Sequence, residues 1–256
     1  MWHAWRSCRI GIGHFLNFST MSELIVIGLA LFPAIILFLY IWLKDPKREP
    51  LSKVFKAVLW GIAVCILACF VEEGVESFLF DGAKPADLFD TTLDAFFVAA
   101  LPEESLKLFA LWRVLRKNPY YDEHYDAIVY AVCVGLGFAA LENYMYVADN
   151  EDWLTIGIMR ALLSVPAHYA FAILMGYYYS KYHFVTHSFK TALCILFVPV
   201  FFHGVFDALL MSAEVDATVG MVAFVICIYF CFRMHKKVNA KIVSQIELDK
   251  GGVTTT

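Results

Sequence analysis

The chain has 256 residues, of which 61% are hydrophobic, 16% aromatic and only 17% charged, with a net charge of −4. Soluble domains are about 45–50% apolar and about 25% charged, so this composition excludes an ordinary soluble protein. It indicates that lipid surrounds most of the chain, and the lipid bilayer is therefore the first predicted partner. The small net charge, without a basic run interleaved with aromatic residues, excludes nucleic acid as a partner.

Long apolar runs predict an all-α fold, a polytopic transmembrane helical bundle of about seven spans, because one bilayer crossing takes about 20 apolar residues. We place the spans at 22–43, 54–71, 90–115, 125–147, 153–180, 190–212 and 217–234. The connecting stretches alternate between basic and acidic. By the positive-inside rule, this alternation predicts a multi-pass protein of the cell membrane with a cytoplasmic C-terminus and an extracytoplasmic N-terminus.

The predicted bundle covers residues 21–238, and the two ends of the chain are interpreted separately. Residues 1–20 include Arg6 and Arg9 but lack the long apolar centre and the cleavage site of a signal peptide. We interpret them as an extension that is disordered or wrongly assigned to the protein, and we expect translation to begin at Met21. Residues 239–256 are expected to form a short cytoplasmic tail.

Ionisable side chains occur inside four predicted spans, where each charge would cost roughly 2.5–3.5 kcal/mol at the centre if it faced lipid. They are Glu103, Glu104, Lys107, Glu142, His168, His203 and Asp207. A spacing of four residues places Glu103 and Lys107 on one helix face. The same spacing places His203 and Asp207 together. We therefore expect these side chains to meet in a polar intramembrane cavity.

The two adjacent glutamates are expected to play different parts. They lie about 100° apart around a helix, so both cannot point in one direction. We expect one to pair with Lys107 and the other to face the cavity.

Three prolines lie beside these polar residues, namely Pro102, Pro166 and Pro199. Proline removes a helical hydrogen bond and bends the helix, which lipid tolerates only where protein groups or water satisfy the freed carbonyl. The prolines therefore predict kinked helices around the cavity. Asp126, in contrast, is interpreted as a helix-start carboxylate outside the cavity.

Carboxylates and imidazoles together can hydrolyse a peptide bond. A buried glutamate can take a proton from water, and histidines can stabilise the oxyanion. Either glutamate of the third span, with His168 and His203, supplies these groups, and Asp207 can orient His203. The same side chains suit zinc, with His168, His203 and Glu103 as candidate ligands. The sequence does not decide between metal-bound and metal-free water, so the cofactor stays open.

Other membrane-protease signatures are missing from the sequence, which has no HExxH zinc motif and no GxGD aspartyl motif. Ser164 and His168 are four residues apart and could form a serine–histidine dyad. A serine within a helix more often bonds to a backbone carbonyl of its own helix. The dyad is therefore a minor alternative.

Four motifs carry a resemblance to a known family: EESLK at 103–107, FxxxExxxY at 138–146, HxxxxxxxG at 168–176 and HxxxD at 203–207. In order and type they resemble the PrsW family of membrane proteases, which is distantly similar to CAAX-processing and bacteriocin-processing proteases. The resemblance implies an enzyme that makes the first, extracytoplasmic cut (site-1 cleavage) in a single-pass anti-sigma factor. It implies catalytic roles for a set of residues and their partners: Glu103, Glu104, His168, His203, Glu142 and Asp207.

Two other functions are alternatives. Buried glutamate, histidine and lysine also line ion pathways, so a proton- or ion-coupled transporter is the first. Such transporters commonly contain internal repeats, and we find no convincing repeat in this sequence. The second alternative is a non-catalytic membrane scaffold, against which the complete set of motif residues argues.

Overall fold

The structure, a computed structural model, describes residues 20–81, 83, 85–148, 150 and 152–252. In these residues the chain is helical and contains no strand, which confirms the all-α bundle. The α-helices are α1 (Thr20–Lys44), α2 (Leu51–Phe80), α3 (Leu88–Leu93), α4 (Leu101–Leu115), α5 (Asp126–Ala148), α6 (Trp153–Leu162), α7 (Ser164–Ser180), α8 (Phe189–Met211) and α9 (Ala217–Gly252). The predicted extension at 1–20 lies outside the described residues, apart from Thr20.

Three shorter helical segments connect or follow these helices in the described residues. A π-helical segment, Asp94–Ala100, joins α3 to α4, and a second one, Lys181–Val185, follows α7. A 3₁₀ turn, Ser212–Glu214, follows α8. The predicted third span, 90–115, is therefore helical throughout, although it consists of an α-helical, a π-helical and a second α-helical segment.

Six helical stretches of the described chain are long and apolar enough to cross a membrane. They are Leu24–Lys44, Leu51–Phe80, Asp126–Ala148, Trp153–Val185, Phe189–Met211 and Thr218–Gly251. They correspond to six of the predicted spans. The remaining predicted span, 90–115, is the one that carries Glu103, Glu104 and Lys107, and these charges make it less apolar than the others. The chain is a multi-pass membrane protein.

Helix α5 lies at the centre of the bundle, where it packs against α1, α2, α4, α6 and α7. Its side chains are buried around the whole circumference, as expected for a helix that is apolar on all faces. Glycines bring its neighbours close. A Cβ on Gly61 of α2 would lie 2.1 Å from the carbonyl oxygen of Val134, and one on Gly176 of α7 would lie 2.6 Å from that of Ala127. The motif glycine Gly176 therefore has a packing role.

Pro166 and Pro199 have different effects on the helices in which they are predicted to lie. The predicted span 153–180 is divided at Leu163 into α6 and α7, just ahead of Pro166. Pro166 has no N–H to donate to the carbonyl of Leu162, which is the last residue of α6. Pro199, in contrast, lies inside α8, which is a single helix.

Helix α9 continues through most of the predicted tail, because it ends only at Gly252. The carboxylate of Asp249 accepts hydrogen bonds from the backbone N–H groups of His124 and Tyr125, at 2.7 and 2.9 Å. The hydroxyl of Ser180 donates to Gln245 at 2.9 Å. This part of the tail is therefore packed against the segment that leads into α5.

Candidate active site

The structure brings the six predicted site residues together in the interior of the bundle. Helix α4 supplies both glutamates, α5 supplies Glu142, α7 supplies His168, and α8 supplies His203 and Asp207. Each of these residues is at most 6% exposed. Since they face one another inside the protein, they do not face lipid.

The start of α4 is shaped by the π-helical segment before it. Pro102 lacks an N–H group, and the N–H of Leu101 bonds to the carbonyl of Phe96, five residues earlier. Such wide turns are frequent at functional sites. A Cβ on Gly204 of α8 would lie 2.5 Å from the Phe96 ring. The glycine after His203 therefore lets α8 lie directly against this turn.

Lys107 is the centre of the cluster. Its Nζ lies 2.8 Å from Oε2 of Glu103 and 2.9 Å from Oε1 of Glu104. It also lies 4.0 Å from the centroid of the Phe138 ring. The expectation that only one glutamate pairs with Lys107 is wrong, because the long lysine side chain reaches both the i−4 and the i−3 carboxylate.

His168 connects Lys107 to Glu142. Its Nδ1 lies 3.2 Å from Nζ of Lys107, and its Nε2 lies 2.9 Å from Oε2 of Glu142. A lysine ammonium can only donate, so Nδ1 accepts and the proton of the neutral ring is on Nε2, facing Glu142. Both ring nitrogens of His168 are occupied, and no hydrogen bond of the described chain joins His168 to Ser164. This geometry gives no support to the serine dyad.

His203 lies between two carboxylates. Its Nδ1 is 2.9 Å from Oε1 of Glu104, and its Nε2 is 3.1 Å from Oδ2 of Asp207. Nε2 also lies 3.9 Å from Oε2 of Glu103. Carboxylates beside both ring nitrogens attract a positively charged ring, so this environment favours the imidazolium, although both oxygens of Asp207 lack a hydrogen-bond partner in the described chain. The ring stacks on Phe171 at 4.8 Å, which fixes its plane.

Arg160 of α6, which is not among the predicted site residues, lies beside the cluster. Its guanidinium lies 3.1 Å from Oε2 of Glu142 and donates to Oδ1 of Asn143 at 2.9 Å. It also lies over the ring of Tyr146, the last residue of the second motif. Arg160 is 2% exposed. The sequence contains a signal for Arg160, because a charge inside the predicted span 153–180 has the same cost of membrane insertion as the other charges inside spans.

Four side chains could hold a metal ion, since Glu103, Glu104, His168 and His203 offer ligand atoms that all lie within 4.8 Å of one another. Carboxylates and imidazoles suit zinc, and Oε2 of Glu104 is buried without a hydrogen-bond partner in the described chain. However, the ammonium of Lys107 is within hydrogen-bond distance of three of the four side chains. The donor types fit zinc, and an ion shared by the four groups would lie beside the Lys107 ammonium, which would then have to move or give up its proton.

Comparisons with known proteins identify the family of the chain. The sequence model of a family described as PrsW family intramembrane metalloprotease matches residues 49–233. The chain is 37% identical over 201 residues to Protease PrsW of Geobacillus kaustophilus strain HTA426, which covers 76% of this chain and 82% of the relative. It is 30% identical over 231 residues to Protease PrsW of Bacillus subtilis strain 168, covering 89% and 100%. No solved structure gives a significant match.

Proposed function

Because the chain belongs to the PrsW family of intramembrane proteases, we propose that it cuts a single-pass membrane protein near the extracytoplasmic side with water activated by Glu103. Peptidase activity follows from the family and argues against the transporter and scaffold alternatives. The observation that carries the chemistry is the buried cluster around Lys107, in which two glutamates and two imidazoles from three helices meet. These groups supply a base and cationic donors for the oxyanion.

Formal charges support Glu103 as the base. The four carboxylates Glu103, Glu104, Glu142 and Asp207 face three cationic groups, Lys107, Arg160 and an imidazolium of His203. One negative charge is therefore in excess. Glu104 contacts both Lys107 and His203 within 3 Å, whereas Glu103 contacts Lys107 at 2.8 Å and His203 only at 3.9 Å. Glu103 is therefore stabilised less than Glu104 as an anion and is the better proton acceptor of the two.

The proposed reaction needs only side chains of the cluster. Glu103 takes a proton from water, and the water oxygen bonds to the carbonyl carbon of the substrate. Lys107 and His203, the cations beside Glu103, stabilise the oxyanion that forms. Glu103 then gives its proton to the leaving amine as the carbon–nitrogen bond breaks. His168 and Glu142 hold Lys107 in position, and Asp207 holds His203.

The position of the site along α5 supports the side of cleavage. Glu142 precedes Ala148, the last residue of α5, by about 9 Å at 1.5 Å per residue. The alternating loop charges assign that end to the extracytoplasmic side, with the C-terminus in the cytoplasm. The resemblance implies an anti-sigma factor as the single-pass substrate, cut first at this site, and we propose that substrate class for this chain.

Histidine variants test the proposed chemistry. We expect His203→Ala to lower the cleavage of a co-expressed single-pass anti-sigma reporter roughly 10²–10³-fold, because a donor to the oxyanion is lost. His168→Ala should also lower it, since Lys107 loses its acceptor. Ser164→Ala should cleave at the wild-type rate, and immunoblotting of the reporter fragments measures all three. Loss of cleavage in both Ser164→Ala and His168→Ala, with wild-type cleavage by His203→Ala, would instead indicate the serine dyad.

Metal removal tests the open cofactor question. With Lys107 placed as it is, we expect a membrane-permeant chelator to leave cleavage by the purified protein in liposomes unchanged. Loss of cleavage that zinc restores would show the opposite. His168, His203 and Glu103 would then be the ligands with Lys107 displaced, and zinc would supply Lewis-acid activation of the water.

A further inference from the structure

A second cluster of buried carboxylates lies at the other end of α5. It consists of Asp45 and Glu49, from the connection between α1 and α2, and Asp126, the first residue of α5. They are 3%, 4% and 1% exposed, and they offer oxygen atoms that all lie within 4.8 Å of one another. Asp126 is about 24 Å from Glu142 along the helix at 1.5 Å per residue. This acidic cluster is therefore separate from the active site, as expected for Asp126.

The protein provides hydrogen-bond donors for only some of the carboxylate oxygens of the acidic cluster. Oδ1 of Asp45 accepts from the backbone N–H of Lys47 at 2.9 Å, and Glu49 accepts from the hydroxyl of Tyr130. Oδ2 of Asp126 accepts from the backbone N–H groups that precede α5. The other oxygens of the two aspartates, Oδ2 of Asp45 and Oδ1 of Asp126, are buried and have no hydrogen-bond partner in the described chain.

No ion pair in the described part of the chain joins a lysine or arginine to the acidic cluster, although the Lys47 ammonium is close enough to attract Glu49 and Asp126. Lys47, between Asp45 and Glu49 in sequence, pairs with the exposed Asp122. Arg48 lies over the ring of Trp42, 5.3 Å from its centroid. A buried charge without a counterion costs several kcal/mol. Burial accordingly raises the pKa of the Asp45 carboxyl to about 7. The cluster therefore needs a cation from outside the chain, or protons.

We propose that Asp45, Glu49 and Asp126 bind a hard divalent cation of the Mg²⁺ and Ca²⁺ class. The cluster offers oxygen ligands, which these cations prefer, and no nitrogen or sulfur ligand of the kind that favours zinc. Ca²⁺ takes oxygens at about 2.3–2.6 Å, so two ligands on opposite sides lie about 5 Å apart. Atoms within 4.8 Å of one another fit such a sphere. The cation would give the two unsatisfied aspartate oxygens a partner.

The bound cation would link the α1–α2 connection to the start of α5. Asp45 and Glu49 belong to the connection that positions α1 and α2, and Asp126 begins the central helix. The backbone just before Asp126 is also held by Asp249 of α9. The cation would therefore lie where α1, α2, α5 and the end of α9 come together.

The test uses the full chain, purified in detergent and stripped of metal with a chelator. Titration with Mn²⁺, followed by electron paramagnetic resonance, should show saturable binding to the wild type. Ca²⁺ and Mg²⁺ should compete and should raise the thermal unfolding temperature. Asp126→Asn should abolish both effects, and Asp45→Asn serves as the second variant should the first misfold. Asp152→Asn, at an exposed position beyond the opposite end of α5, is the control and should bind as the wild type does.

Three outcomes would overturn the proposal. One is Mn²⁺ binding that persists in both Asp126→Asn and Asp45→Asn. Another is binding that His203→Ala abolishes while the aspartate variants keep it, which would place the ion in the active site. The third is a protein that acidification stabilises but Mn²⁺, Ca²⁺ and Mg²⁺ do not, because a shared proton would then satisfy the cluster.

Discussion

Replacing Glu103 by glutamine should lower the rate of substrate cleavage about 10²–10⁴-fold, the usual contribution of a general base. Glutamine has nearly the same size as glutamate. Its carbonyl oxygen can accept a hydrogen bond from Lys107, in place of the 2.8 Å bond to the Glu103 carboxylate. What is lost is the ability to take a proton from water. The rate is best measured with purified protein and reporter in liposomes.

Glu104→Gln is the matched variant, because it neutralises the neighbouring carboxylate of the same helix turn. Glutamine at this position can accept from both Lys107 and His203, so we expect a smaller loss of cleavage than for Glu103→Gln. Thermal unfolding of both variants shows whether the fold is kept. If Glu104→Gln is inactive while Glu103→Gln cleaves normally, Glu104 is the base and the assignment must be exchanged.

Replacing Arg160 by methionine should lower the free energy of unfolding by about 3–5 kcal/mol. The change leaves Glu142 with a buried charge that has lost its guanidinium, and breaking a buried ion pair on one side has this cost. The guanidinium lies 3.1 Å from the carboxylate, and both side chains are almost fully buried. Unfolding in mixed micelles, followed by circular dichroism, measures the loss.

The double variant Arg160→Met with Glu142→Gln separates the ion pair from simple packing. If the unpaired charge causes the loss, the second change should recover most of it, since a neutral glutamine can still accept from His168. Arg233→Met, at an exposed position of α9, is the control and should change stability by less than about 0.5 kcal/mol. Equal losses in the single and double variants would contradict the ion-pair explanation.

Much of the site can be predicted from the sequence, because a charged residue inside a transmembrane span is costly unless it faces other polar groups. The pair His203 and Asp207 is four residues apart and lies on one helix, so its 3.1 Å contact follows from helical periodicity. The inward orientation follows from the cost of exposing charge to lipid. The break before Pro166 follows from the missing N–H group.

Contacts between distant segments could not be predicted in the same way. The bridge from Lys107 to His168 depends on how α4 and α7 pack, which periodicity does not specify. The docking of Asp249 onto the backbone before α5 joins residues more than a hundred positions apart. The two contacts of Lys107 also could not be predicted from helical angles, which place Glu103 and Glu104 about 100° apart. The lysine side chain is long enough to reach both carboxylates.

The π-helical segment Asp94–Ala100 determines how α3 is rotated about the helix axis relative to α4, which carries Glu103 and Glu104. A π-type turn holds one more residue than an α-type turn, and each residue corresponds to about 100° of rotation. Shortening the loop before α3 would leave this rotation unchanged. Deleting one residue within the wide turn would leave a regular α-helical turn, so α3 and the acidic pair would keep nearly the same relative orientation. Relatives should therefore tolerate the loss of one residue here better than a deletion within α4, which would rotate Glu103 and Glu104 by about 100° relative to Lys107 or the preceding segment.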